Sequence, residues 1–165
     1  MHKLDKVDKS ILNILMENCK LSYRQIAKRA NVSVGTVMNR IRKLTDAKII
    51  KKYSCILDYD SIGYNLGVLI DVRVSKGRLF EVEKKIAESP FVFAVYDITG
   101  DFDVAILARF EDRRQLDDFV KNLQRIEFVE RTHTKLILNY IKEEGMKFSF
   151  PGQLTLLNGR KGSIG

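Results

Sequence analysis

LSYRQIAKRANVSVGTVMNRIRKL, residues 21–44, reads as two short helices meeting at a tight turn. Ser22 followed three residues later by Gln25 has the spacing of a capping box, in which hydroxyl and amide side chains each satisfy a free backbone N–H. Ile26, Ala27 and Ala30 then recur at helical spacing, so one side of this helix is apolar. Asn31, Val32 and Ser33 break the pattern, and Ser33 is a suitable N-cap for a second helix. On that helix Val34, Val37, Met38, Ile41 and Leu44 form one apolar face. At about 100° per residue the opposite face is centred on Thr36, Asn39 and Lys43, with Arg40 and Arg42 flanking and Gly35 leaving room near the N-terminus.

That polar face has groove-reading chemistry. Arg pairs bidentately with guanine and Asn with adenine, while Thr hydrogen-bonds a base edge or packs on a thymine methyl. A turn of about three residues after the small Ala30 suits the steep crossing of a helix-turn-helix. An ordinary helical hairpin with a solvated polar face is the alternative reading of the same residues.

The charge distribution bears on that choice. Of the net +8, residues 1–60 carry 13 Lys/Arg against 6 Asp/Glu, hence +7; residues 61–141 carry 12 against 13, hence −1; the rest carries 4 against 2, hence +2. A basic end argues for a polyanion partner, because each phosphate neutralised by Lys or Arg releases counterions. No apolar run approaches the roughly 18 residues that span a bilayer, and MHKLDKVDK lacks a signal-peptide core, so a cytoplasmic protein with no membrane partner is expected. Two cysteines and two histidines lack metal-ligand spacing, so neither metal nor cofactor is expected. Cys19 reads as a small core residue of the first helix and Cys55 as a strand residue.

Along the chain, Asp5 is the expected N-cap of a first helix whose stripe is Leu4, Val7, Ile11, Ile14 and Leu15, with Asp8 near the positive end of its dipole. Ile49 to Leu57 is rich in β-formers and carries Lys51 and Lys52, as an exit strand or a basic wing would. From Leu66 onward the pattern alternates strand (Leu66 to Val74), helix (Leu79 to Ala87), strand (Phe91 to Ile98), strand (Val104 to Phe110), helix (around Leu116 to Leu123) and strand (Phe128 to Tyr140). This βαββαβ order is the ferredoxin-like arrangement, an antiparallel sheet with both helices on one face. The second face is expected to be apolar and to drive dimerisation. The expected fold class is therefore α+β: a helix-turn-helix domain over residues 1–60 with its exit strand, a ferredoxin-like domain over 61–141, and an extension over 142–165. Phe148, Phe150, Leu154, Leu156 and Leu157 in that extension suit either a flexible tail or a last strand packing on a partner.

This combination resembles the Lrp/AsnC, or feast/famine, transcriptional regulators from about Leu4 to about Ile141. LDKVDKSILNIL resembles their opening helix, the stretch from Leu21 to Tyr53 their helix-turn-helix and exit strand, and TGDFD, residues 99–103, the hairpin of their effector domain. The resemblance implies a three-helix, winged-helix-like head that binds double-stranded DNA through Ser22, Tyr23, Arg24, Ser33, Thr36, Asn39, Arg40, Arg42, Lys43, Lys51 and Lys52. It also implies a homodimer assembling further, often to octamers, and an amino-acid effector bound near Thr99, Gly100, Asp101 and Asp103, with Thr132 and Thr134 as further candidates. Where the family commonly has Gly after the recognition helix, this chain has Ala47-Lys48. On its own chemistry TGDFD is either such a pocket or only a turn, in which Asp103 caps exposed amides. No catalytic residue is expected. Siroheme decarboxylases share the resemblance in fold and would use groups such as Arg131 and His133; a non-specific architectural role on nucleic acid is the other alternative.

Overall fold

The computed structural model describes residues 3–75 and 77–149 of the 165. It divides into two compact units: a head, in which residues up to Cys55 are joined by the segment from Glu143, and a sheet unit, Ile56–Lys142. Among the described residues no helix is long and apolar enough to cross a membrane.

The head is built from three capped helices. α1, Lys6–Glu17, starts at Asp5, whose carboxylate accepts from the Asp8 amide at 2.8 Å while the Asp8 carboxylate accepts from the Asp5 amide at 3.1 Å. α2, Tyr23–Ala30, starts with the expected Ser22–Gln25 capping box. Asn31 then adopts a left-handed conformation (φ 53°), the Val32 amide donates back to the Ala27 carbonyl, and Ser33 caps α3, Val34–Asp46. The turn thus consists of Asn31, Val32 and Ser33. Ile11, Ile14, Ile26, Ala27, Val37 and Ile41 form the shared core, edged by Val7, Leu15, Leu21, Ala30, Val32 and Ile50. Each fully buried aliphatic side chain contributes about 1.5–3 kcal/mol.

Several expectations for the head are corrected. Val34 and Met38 stand outside this core and are exposed. With only two short helices to cover it, α3 buries a narrow seam of Val37, Ile41 and Leu44 rather than a five-residue face. Cys19 lies beyond the end of α1 and, like Cys55, is exposed. No strand forms over 49–57. Lys48 takes the left-handed conformation (φ 56°) that a glycine adopts more cheaply, and its amide donates to the Thr45 carbonyl.

The segment from Glu143 to Phe148 packs on α1 of the head. The Asn13 side chain grips it with two hydrogen bonds: its amide Nδ2 donates to the Phe148 carbonyl at 2.9 Å, and its Oδ1 accepts from the Phe148 amide at 2.8 Å. Lys147 adds an ion pair with Glu17 at 3.9 Å. Phe150, Leu154, Leu156 and Leu157, weighed as a last strand, lie outside the described residues.

The sheet unit has the order β1 (Leu66–Val74), α4 (Leu79–Ala87), β2 (Val92–Asp97), β3 (Val104–Phe110), α5 (Arg113–Gln124), β4 (Val129–Leu136). The four strands pair antiparallel in the order β2-β3-β1-β4, which is the ferredoxin-like topology. Val68, Ile70 and Val72 of β1 and Val104, Ile106, Ala108 and Phe110 of β3 pack under Val82 and Ile86 of α4 and Leu123 of α5. β4 is shorter than expected and ends at Leu136.

The face away from the helices mixes apolar and charged residues, with exposed Tyr96 of β2 standing on it opposite Ala105. Alongside Leu69, Ala105 and Leu107, it carries Asp71, Arg73, Arg131, His133 and Lys135, placed there by the cross-strand register. Asp71, 7% exposed, accepts from Lys135 Nζ at 2.5 Å and faces His133 Nδ1 at 3.9 Å. Arg109, also on this face, lies over the rings of Tyr140 (3.9 Å to the centroid), Tyr59 (4.8 Å) and Phe93 (6.0 Å).

Candidate functional site

Up to its last turn, where Thr45 and Asp46 are also exposed, α3 exposes two neighbouring i, i+4 rows: Val34, Met38 and Arg42 in one, Gly35, Asn39 and Lys43 in the other. Arg42 Nη2 donates to Asn39 Oδ1 at 3.1 Å, which holds the two exposed side chains side by side. Ser33 and Thr36 are engaged at the start of the helix: Ser33 Oγ accepts from the Thr36 amide at 3.0 Å and lies 2.9 Å from the Thr36 hydroxyl. Tyr23 and Arg24 lie exposed in the first turn of α2, and Lys51 and Lys52 are exposed beyond α3. Ser22 is taken up by its capping box.

Arg40 has a different setting from the one its sequence position suggests. Its Nη1 donates to Asp5 Oδ2 at 2.7 Å and to Asp8 Oδ1 at 3.2 Å, so the guanidinium ties α3 to the capped start of α1. Burial alone would lower its pKa, but the charges and hydrogen bonds of Asp5 and Asp8 outweigh that and raise it. Reciprocally, the Asp8 amide and the Arg40 charge hold the Asp5 carboxyl below the usual range against the opposing effect of burial.

In the sheet unit the candidate effector residues separate into two groups. Gly100 has φ 120°, in the region that favours glycine, with open space around its α-carbon. The Asp101 carbonyl accepts from Arg73 Nη1 at 2.5 Å. The Asp103 carboxylate accepts from the Val74 amide at 2.8 Å and lies 4.0 Å from Arg73 Nε. Asp103 therefore does cap a backbone amide, and Arg73 is the hairpin's cation, a residue that sequence reasoning missed because it lies 28 positions from Asp101. Thr99 is exposed nearby in sequence. Thr132 and Thr134 pair with Val72 and Ile70 on the helix-covered face instead; the Thr132 hydroxyl accepts from Gln124 Nε2 of α5 at 2.9 Å. They do not join the Asp101–Arg73–Asp103 cluster. Phe102 stacks on His133 with ring centroids 6.1 Å apart, and Arg131 lies 5.8 Å over Phe102. Among the described residues no three His, Cys, Asp or Glu side chains gather as a metal site would require.

Residues 4–51 match the winged helix-turn-helix DNA-binding model, and residues 67–146 match the Lrp/AsnC ligand binding domain. Together with the capped, outward-facing α3, these make the chain a DNA-binding transcriptional regulator with a separate ligand-binding domain. It is 40% identical over 141 residues to an uncharacterized HTH-type transcriptional regulator of Pyrococcus abyssi, covering 86% of this chain and 96% of that one. It is 36% identical over 140 residues to the HTH-type transcriptional regulator FL11 of Pyrococcus horikoshii, covering 85% and 93%. The chain belongs to the Lrp/AsnC family of transcriptional regulators. Among solved structures it resembles the transcriptional regulator NMB0573 of Neisseria meningitidis, a complex with L-Met (TM-score 0.81, 27% identity, 89% of this chain and 97% of that one), and AsnC of E. coli (TM-score 0.80, 25% identity, 88% and 99%).

Proposed function

We propose that the chain reads specific duplex DNA sequences with the Asn39–Arg42–Lys43 surface of α3 and that an amino acid or related metabolite, bound at the Gly100 hairpin, adjusts this binding through assembly in the cytoplasm. The observation that carries the first part is the hydrogen-bonded Asn39–Arg42 pair, exposed on a helix whose N-terminus is held by Ser33. Asn39 supplies the amide for adenine and Arg42 the fork for guanine. Tyr23, Arg24, Lys51 and Lys52 take phosphates, while Ser22, Ser33 and Thr36 hold the starts of α2 and α3 in place beside them. Arg40 positions α3 by way of Asp5 and Asp8 rather than reading bases.

For the effector, Asp101 and Asp103 offer carboxylates to an ammonium group and Arg73 a cation to a carboxylate, so one amino acid matches the cluster's charges. The L-Met complex of the Neisseria relative supports this chemical class. The open face of the sheet, with Leu69, Ala105 and Leu107 between its charged rows, is the surface proposed for pairing two copies, from which larger oligomers follow. A dimer sets two heads on neighbouring half-sites, and a ligand that favours one assembly changes DNA affinity by that preference alone.

The test is selection of bound sequences from random duplex DNA, followed by titration of the selected site at several salt concentrations. Asn39→Ala and Arg42→Ala are each expected to cost about 1–3 kcal/mol and to relax the base preference, whereas Lys51→Ala weakens all sequences alike and reduces the salt slope by about one unit. Unchanged base preference in both helix variants would remove α3 as the reading element.

A further inference from the structure

The exposed surface of α3 also has an apolar part, which neither pairs with a base edge by hydrogen bonds nor holds a phosphate. Val34 is 39% exposed and Met38 51%, although both stand on a helix with an available apolar seam. They occupy the same i, i+4 row as Arg42 and border the row of Gly35, Asn39 and Lys43, so the two groups present one continuous surface. A Cβ built at Gly35 would come within 4 Å of nothing but the Ser33 hydroxyl, at 3.8 Å, so the surface between Val34 and Asn39 is cut back to backbone there.

We propose that Val34 and Met38 read thymine, by packing on the C5-methyl groups that thymines present in the major groove beside the bases met by Asn39 and Arg42. The chemistry of this surface selects that occupant. An apolar strip flanked by Arg42 and Lys43 suits a partner that is itself apolar in spots and anionic around them, and the thymine methyl is the apolar group on a major-groove edge. Val34 is the first residue of α3, the end of a recognition helix that reaches base edges, and Met38 follows one turn later. Val has a stiff side chain that fixes a single contact position, whereas the unbranched thioether of Met fills an irregular gap. The two residues thus differ in how sharply each is expected to define the preferred base.

The inference rests on α3 being the helix that enters the groove, and the experiment separates the two claims. On the site selected from random DNA, each thymine is replaced in turn by deoxyuridine, which removes the methyl group and leaves every hydrogen-bonding edge in place. The full-length chain is expected to lose about fourfold in affinity at one or two positions of each half-site, the size expected for one buried methyl group. Met38→Ala abolishes the loss at one such position and Val34→Ala at another, while Asn39→Ala retains both losses. Because both side chains are exposed, circular dichroism of the variants is expected to match that of the parent. If no deoxyuridine position weakens binding while Asn39→Ala still relaxes base preference, methyl reading is overturned and groove reading stands. If the losses persist unchanged in both apolar variants, Val34 and Met38 are not the readers. If Asn39→Ala and Arg42→Ala also leave preference unchanged, the placement of α3 itself has failed.

Discussion

The head and the sheet unit each hold one arginine away from the role its charge would suggest, and they do so by opposite means. Arg40 is gripped by two carboxylates, Asp5 and Asp8, which themselves close the capping box of α1. Arg109, 6% exposed, lies among the rings of Tyr59, Phe93 and Tyr140, with Asp60 3.7 Å away. The first device is ionic, half-exposed and made from groups that also terminate a helix. The second is built largely from flat apolar surface and depends on stacking geometry. An ionic pin responds to pH and salt, whereas a stacked one responds to shape.

The largest effect is expected where stacking is destroyed. Arg109→Ala empties the space between Tyr59 and Tyr140 and is expected to cost about 2–4 kcal/mol in the sheet unit, read by hydrogen exchange of the β1 and β3 amides. Arg109→Lys keeps the charge but not the plane, and about half of that loss is expected. A lysine variant as stable as the parent would show that charge, not stacking, is what the rings require. Next comes Asp8→Asn, at a side chain that accepts from the Asp5 amide and faces Arg40: a cost of about 1–3 kcal/mol confined to the head is expected. Equal protection of α1 amides in variant and parent would separate Arg40's anchoring from the cap.

The smallest effect is a pH dependence. The folded-state pKa of Asp5 is depressed, chiefly by the Asp8 amide and then by Arg40. Its contribution is therefore complete above the ordinary aspartate value of about 3.9 and is lost as pH falls through the lower folded value. Denaturant midpoints of the head measured from pH 5 downward are expected to fall in that window, and Arg40→Ala to lessen the fall. An unchanged slope in that variant would assign the shift wholly to the cap.

The contrast also marks what was legible in the sequence. Capping boxes are local, with partners three residues apart, so Asp5–Asp8 and Ser22–Gln25 could be read directly. So could β1, α4 and β3, whose hydrophobic periods are unbroken. In sequence Arg40 looks like a groove-facing residue because the carboxylates it meets, Asp5 and Asp8, lie 35 and 32 positions away, beyond any periodic pattern. In sequence Val34 and Met38 look like core residues because an apolar residue near the seam resembles one within it; the small size of the head leaves both exposed. Thr132 and Thr134 stand in RTHTK, where every position is polar, so alternation carried no sign of which face the helices cover. At the hairpin TGDFD the turn was legible, but the cation that completes its charge comes from β1.

The Asn13 grip on Phe148 spans 135 residues and gives the head an unusual order of manufacture. The three helices leave the ribosome first, but the segment that docks on α1 emerges only after the whole sheet unit has been translated. The 102 residues from Asp46 to Phe148 take roughly 5–20 s at about 5–20 residues per second, far longer than a small helical bundle takes to fold. A nascent head thus has time to fold with Asn13 open to water and to receive its partner afterwards, which makes closure of this clamp a late step in the head's assembly.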